Sequence, residues 1–385
     1  MGRFNTRGLA RLRGALQAHI DKGRIPGAVV LLAGAGEVEM FEALGLQDPQ
    51  ADATMKSDAI FRIYSMTKPL VSLAALMLAE EGALALGDPV SRYLPEFELG
   101  KLRVAIEEDG RIARTEPARR EITVHDLLRH TSGLTYEFLG ANAVQCAYEA
   151  VDITDTSRSN REFCKVLAAL PLQDQPGSCW QYSRATDVLG AVVEVAAGQT
   201  LGRWLAGRIF EPLGMRDTAF SVPQAHWGRL AEPFATDPDS GKPVTMLDPR
   251  AVPAFESGGG GLMSTAGDYL RFLQLMRNRG SCDGVRIASR KTIEWMTADH
   301  LGAILPKGEL LLPGYGFGLG VAVRTHTGLA PQPGSVGQYF WSGIGGTSFF
   351  VDPAEDIFAM LLTQAPNQRI FFRNLFRHLV YAALD

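Results

Sequence analysis

Ser65-Met66-Thr67-Lys68 sets a hydroxyl and an amine three residues apart, where a long apolar stretch begins. On a helix, residues at i and i+3 share a face with Cβ atoms about 5–6 Å apart. The amine would then lie beside the hydroxyl before any tertiary packing. A helix start adds unpaired N–H groups and a partial positive charge, which suit a serine that attacks a carbonyl and leaves an oxyanion. No other serine in the chain has a lysine three positions on. A purely structural reading competes, with Ser65 as a helix N-cap and Lys68 as a solvated helix residue.

A serine nucleophile needs a base. The Gly-x-Ser-x-Gly turn that announces a Ser-His-Asp hydrolase is absent. Among the 7 histidines, His125 and His130 sit on or beside a helix, read as structural and lack the i, i+4 spacing of a helical metal pair. No Gly-x-Gly-x-x-Gly follows a strand, and Gly258 to Gly261 read as a loop that needs a permissive backbone. We therefore expect neither metal nor cofactor, and Lys68 is the nearest base to Ser65. An exposed lysine with a pKa around 10.4 is protonated at neutral pH, so Lys68 must be buried or placed near positive charge to work. Met66, Pro69 and Leu70 offer an apolar setting. A tyrosine could share its proton, because a phenol both donates and accepts.

The elements that must position this pair are legible in outline. Leu9, Leu12, Leu16 and Ile20 mark an amphipathic first helix. Residues 28–32 and 38–44 read as strands around the Gly34-Ala35-Gly36 turn. The Ser65 helix runs to Gly82, Asp88-Pro89 suggests a capped helix start, and Thr123 with Asp126 suggests a capping box. Late strands are expected at 316–325, 336–343, 348–351 and 357–364, then a final helix over 369–384. The fold class is α+β: residues 1–86 and 290–385 would build one sheet domain from both ends, with residues 87–289 as an inserted, mainly helical region.

Composition narrows the function. The chain has 385 residues, 46% hydrophobic and 21% charged, and a net charge of -4. That fits a globular protein without a nucleic-acid surface. No apolar run reaches the roughly 18 residues of a membrane span. Cys146, Cys164, Cys179 and Cys282 are scattered and suit buried thiols of a reducing compartment. A cytoplasmic protein is expected, and its oligomeric state is not written in the periodicity.

Three longer stretches add a resemblance: Phe61-Arg-Ile-Tyr-Ser-Met-Thr-Lys-Pro69, Leu127-Leu-Arg-His-Thr-Ser-Gly-Leu134 and Pro176-Gly-Ser-Cys-Trp-Gln-Tyr-Ser183. In this order they resemble the serine β-lactamase/penicillin-binding-protein superfamily, and within it the family VIII carboxylesterases, which share the class C β-lactamase fold. The resemblance implies a β-lactamase/transpeptidase-like antiparallel sheet flanked by helices. It implies Ser65 as acyl-accepting nucleophile and Lys68 as its base partner. Tyr182 would share its proton with Lys68, protonate the leaving alkoxide and activate the deacylating water. For the third motif, Trp341-Ser-Gly343 runs directly into the next strand and resembles the Trp-Gly-Gly of these esterases, with Ser342 departing from it; His326-Thr-Gly328 is the other candidate. The N–H groups of Ser65 and Ile344 would form the oxyanion hole, and Trp341, Ser342 and Gly343 would contact substrate. Tyr64 and Tyr136 are expected to line the pocket or to belong to the core. Arg184 stands where β-lactamases place Asn, and Trp341 replaces a carboxylate-binding Lys. A small carboxylic ester is the implied substrate, with β-lactam, peptide or acyl-transfer chemistry, or a silent binding fold, as alternatives.

Overall fold

The computed structural model describes residues 2–385. Eight strands form one antiparallel sheet: β1 (Gly27–Gly34), β2 (Glu37–Asp48), β3 (Ala53–Thr54), β4 (Tyr315–Phe317), β5 (Ala322–Arg324), β6 (Tyr339–Ser342), β7 (Ser348–Asp352) and β8 (Ile357–Leu362). Their order across the sheet is β4-β5-β6-β7-β8-β1-β2-β3, so the early and late strands join where β1 pairs with β8. Every residue of β1 is buried. Its side chains alternate between two cores: Ala28, Val30 and Leu32 meet the terminal helices, while Val29, Leu31 and Ala33 join the larger core on the opposite face. A strand covered on both faces reads as a continuous apolar run, which is what residues 27–34 show.

The first helix, Thr6–Asp21, is capped by the Asn5 side chain, which accepts from the Gly8 N–H at 2.7 Å. It packs beside the last helix, Arg369–Tyr381, through Leu12 and Leu16 against Phe372, Phe376 and Val380. The Lys68 helix, Thr67–Glu80, lies in the core on the other face; Gly82 follows it with a left-handed φ of 73°. The Thr123–Asp126 capping box closes on the short helix Val124–Leu128.

Several expectations need correction. Residues 316–325 form two strands rather than one. The Gly318 N–H donates to the Val321 carbonyl, and the chain reverses where Gly320 passes Ser72 so closely that a Cβ would lie 2.3 Å from its hydroxyl oxygen. Asp88-Pro89 opens only a single 3₁₀ turn, Val90–Arg92, because the Asp88 carboxylate takes the Ala85 N–H and the Tyr93 hydroxyl instead. An unexpected hairpin, Arg103–Glu108 with Arg111–Pro117, interrupts the helical region at an Asp109-Gly110 turn with both φ angles positive. All four cysteines are free thiols, but only Cys164 and Cys282 are buried; Cys146 is exposed. Among the described residues no helix is long and apolar enough to cross a membrane.

Candidate active site

Ser65 does not cap the Lys68 helix. It occupies a 3₁₀ turn, Tyr64–Met66, that feeds directly into Thr67, and no side chain caps either element. Tyr64 precedes it at φ 45°, a left-handed conformation that costs a non-glycine residue about 1–3 kcal/mol. Packing holds the strain: the Leu247 N–H donates to the Tyr64 hydroxyl at 2.9 Å, and the Tyr64 ring lies against Gly345, where a Cβ would approach it to 2.9 Å. The turn places Ser65 at the wall of a cavity of about 940 Å³.

Lys68 is fully buried. Its Nζ contacts the Gly259 carbonyl at 2.6 Å, the Tyr136 hydroxyl at 2.9 Å and the Ser65 Oγ at 3.3 Å. Burial pulls its pKa down to about 7, the Asp187 carboxylate opposes that shift, and Arg184 adds to it. A neutral amine has two N–H groups and one lone pair. The carbonyl takes one N–H, so one of the two hydroxyls must donate to the lone pair while the other accepts.

The tyrosine bonded to Lys68 is thus Tyr136, where Tyr182 was expected. Tyr182 instead offers its ring face, with its centroid 4.6 Å from Nζ. Its hydroxyl faces Ser65 and accepts from the Trp341 indole N–H at 3.3 Å. Burial raises both phenols above their ordinary value, so both are protonated at neutral pH. Beside them His130 is buried and held below the usual imidazole range by desolvation and then by Lys68; it contacts Ser183 Oγ at 3.2 Å and packs at a tilt against the Tyr182 ring, in keeping with a structural role.

A buried ionic network supports Lys68 from behind. Asp187, fully buried on the helix Ala185–Ala197, accepts from the Ser257 hydroxyl at 2.5 Å and the Gly259 N–H at 2.9 Å. It thereby fixes the loop whose Gly259 carbonyl meets Lys68. Gly259 has no room for a Cβ, which would lie 2.7 Å from Asp187 and 2.8 Å from the Tyr136 hydroxyl. Arg184 bridges Asp187 at 3.4 Å and Glu137 at 2.5 Å, and its guanidinium covers the Tyr136 ring at 4.8 Å.

Opposite Ser65, β6 carries Trp341 and Ser342 to the cavity wall, with Ile344 just beyond. Gly343 does not line the cavity; it packs on the Ile63 carbonyl, where a Cβ would come within 2.3 Å. Among the described residues neither the Ser65 nor the Ile344 N–H donates to a protein group. Tyr64, Tyr136 and Tyr182 also line the cavity, and Phe138, Val252, Leu310 and Ile370 form an exposed apolar rim. The alternative third motif, His326-Thr-Gly328, lies beyond β5 and does not line the cavity.

The sequence reading missed Asp187, Glu137 and Gly259. Asp187 had a signal: it is a lone acid inside the apolar run Ala185-Thr-Asp-Val-Leu-Gly-Ala-Val-Val193. A charge in such a helix must find a partner when buried. Gly259 acts through its backbone carbonyl, which no residue type reveals.

The beta-lactamase family profile matches residues 12–382. Protein Rv1367c of Mycobacterium tuberculosis is 36% identical, over 89% of this chain and 87% of its own. Esterase EstB of Burkholderia gladioli is 37% identical, over 92% and 90%. The solved structure of EstCE1, described as a hydrolase with promiscuous acyltransferase activity, superposes with a TM-score of 0.81 at 31% identity, covering 97% of this chain and 99% of that one. The antiparallel sheet with its flanking helices is the β-lactamase/transpeptidase-like fold. The chain belongs to the beta-lactamase family, and its relatives fit the wider superfamily that joins family VIII esterases with penicillin-binding-protein-like serine hydrolases.

Proposed function

We propose that this protein hydrolyses short-chain carboxylic esters through an acyl-enzyme on Ser65, with Lys68 as base and Tyr182 as acid. The observation that carries the reading is the buried Lys68, brought to about 7 and in contact with Ser65 Oγ. Near neutral pH its lone pair is available to take the serine proton.

In acylation the Ser65 oxygen attacks the ester carbon while its proton passes to Lys68. The unpartnered N–H groups of Ser65 and Ile344 suit the resulting oxyanion, and each such donor is worth roughly 3 kcal/mol of barrier. The C–O bond to the alcohol then breaks, and the Tyr182 phenol gives its proton to the leaving alkoxide. The phenolate left behind is favoured by the Trp341 N–H and by the nearby Arg373 charge. In deacylation this phenolate takes a proton from water as the water attacks the acyl carbon. The Ser65 oxygen leaves with the proton stored on Lys68, and every group returns to its starting state. Tyr136 acts as the fixed partner that orients the amine.

The likeness to EstB supports an ester substrate, and Trp341 offers an apolar wall where a β-lactamase carries lysine. Acyl transfer to an alcohol is a second reading, supported by the description of EstCE1 and by a cavity with room for an acceptor. The test is turnover of p-nitrophenyl acetate and butyrate with Ser65→Ala, together with fluorophosphonate labelling mapped by mass. We expect turnover to vanish while folding persists, and the adduct to sit on Ser65. Turnover by Ser65→Ala, or an adduct elsewhere, removes Ser65 as nucleophile.

A further inference from the structure

Arg369, Arg373 and Arg377 recur every fourth residue of the last helix and all line the cavity that holds Ser65. Among the described residues none of them forms an ion pair with a carboxylate. Arg377 is buried and spends its NH1 on the Tyr315 hydroxyl at 3.0 Å and Gln332 Oε1 at 2.6 Å, with its guanidinium 4.3 Å from the Phe340 ring centroid. Arg369 has one bond, to the Pro366 carbonyl at 2.5 Å. Arg373 donates through NH2 to the Gly343 carbonyl, and its Nε is buried without any partner.

Three neighbouring cations with no counter-charge are costly in a partly desolvated wall. The cost shows at Arg373, which burial, and then the charges of Arg369 and Arg377, pull down to about 9. The acids that also line the cavity do not relieve it: Glu137 is paired with Arg184, Asp248 with Arg250, and Glu309 is exposed. In a chain of net charge -4, such a cluster at a ligand cavity calls for an anion from outside. Its location says which end of the ligand. Arg373 grips Gly343, next to the Ile344 N–H, and its charge reaches the Tyr182 hydroxyl, which faces the departing alcohol in the reaction proposed above.

We propose that Arg369 and Arg373, backed by Arg377, form a subsite for an acidic group on the alcohol portion of the ester, making anionic esters the preferred substrates. This assignment rests on the esterase reading for the word "substrate", but anion binding stands apart from catalysis. The test therefore has two arms. In the first, kcat/KM for 4-acetoxybenzoate is compared with that for the neutral isostere 4-acetoxybenzamide. We expect the anion to be favoured roughly tenfold at low salt, with the ratio falling several-fold in Arg369→Gln and again in 0.5 M salt, as for a charge contact that solvent still reaches (~4 Å screening length). In the second arm, calorimetry measures binding of the products 4-hydroxybenzoate and 4-hydroxybenzamide to the native protein. Tighter binding of the benzoate, lost in Arg373→Gln and weakened in Arg369→Gln, supports the subsite even if neither ester is cleaved. Equal binding of the two, or a preference unchanged by both variants, overturns it. Cleavage of neither ester alongside tighter benzoate binding would count against the esterase reading alone.

Discussion

Arg184 and Arg373 each bring a guanidinium to the wall of one cavity, and the chain surrounds them in opposite ways. Arg184 is 7% exposed and faces two carboxylates, Glu137 and Asp187, which raise its affinity for its proton above the ordinary value despite burial. Arg373 faces two further arginines, and its proton affinity is lowered. Charge that must stay fixed is neutralised internally, and the network it joins ends at Lys68. Charge left without a counter-ion lines the cavity, where an incoming anion would complete it. The difference separates a scaffold that tunes a base from a surface that reads a ligand.

The contrast can be broken at several points. Replacing Lys68 by Met removes the group that the paired side is arranged around. Turnover of a short ester should fall by about 10²–10⁴-fold with little loss of folding, and near-normal rates would make the network purely structural. Arg184→Gln leaves the buried Asp187 and the half-buried Glu137 without their counter-charge, so urea unfolding should show a loss of about 3 kcal/mol. Arg373→Gln strands no carboxylate and should cost only about 1 kcal/mol; equal losses would erase the distinction between the two arginines.

Asp187→Asn should lower kcat by about 10²-fold, because the Gly259 loop loses its charged anchor. It should also move the pH profile. A lysine base works when neutral, so kcat/KM should rise as pH climbs through about 7 in the native protein. Asp187 raises the Lys68 pKa and Arg184 lowers it. The rising limb should therefore shift to lower pH in Asp187→Asn and to higher pH in Arg184→Gln. Shifts in the same direction would mean that neither charge acts on Lys68.

Much of this site was legible because its parts are local. Ser65 and Lys68 are one turn apart, and Trp341-Ser-Gly343 ends a strand that leads directly into its neighbour. The apolar run of β1 and the alternation of the terminal helices carried the sheet and its cover. What escaped depends on distance in sequence or on backbone. Tyr136 displaced Tyr182 as the hydrogen-bonded partner of Lys68 because the fold brings residues 68 positions apart together. The hairpin at Asp109-Gly110 was missed although that dipeptide is a hairpin signal, since its strands carry charges on both faces and show little apolar alternation. The arginines at 369, 373 and 377 were visible as a helical stripe, but only the fold shows that this stripe faces Ser65 rather than solvent.

The pairing of β1 with β8 also has a kinetic side. The partners lie roughly 330 residues apart, and every residue of β1 is apolar or glycine and buried once folded. At synthesis rates of about 5–20 residues per second, the first strand waits on the order of half a minute for its neighbour. During that interval β2 can already pair with one edge of β1, but the edge that β8 will take stays open, a sticky template for other strands. Ser65 emerges early, but Trp341 and Arg373 emerge last, so the reactive serine gains its full surroundings only as the sheet closes.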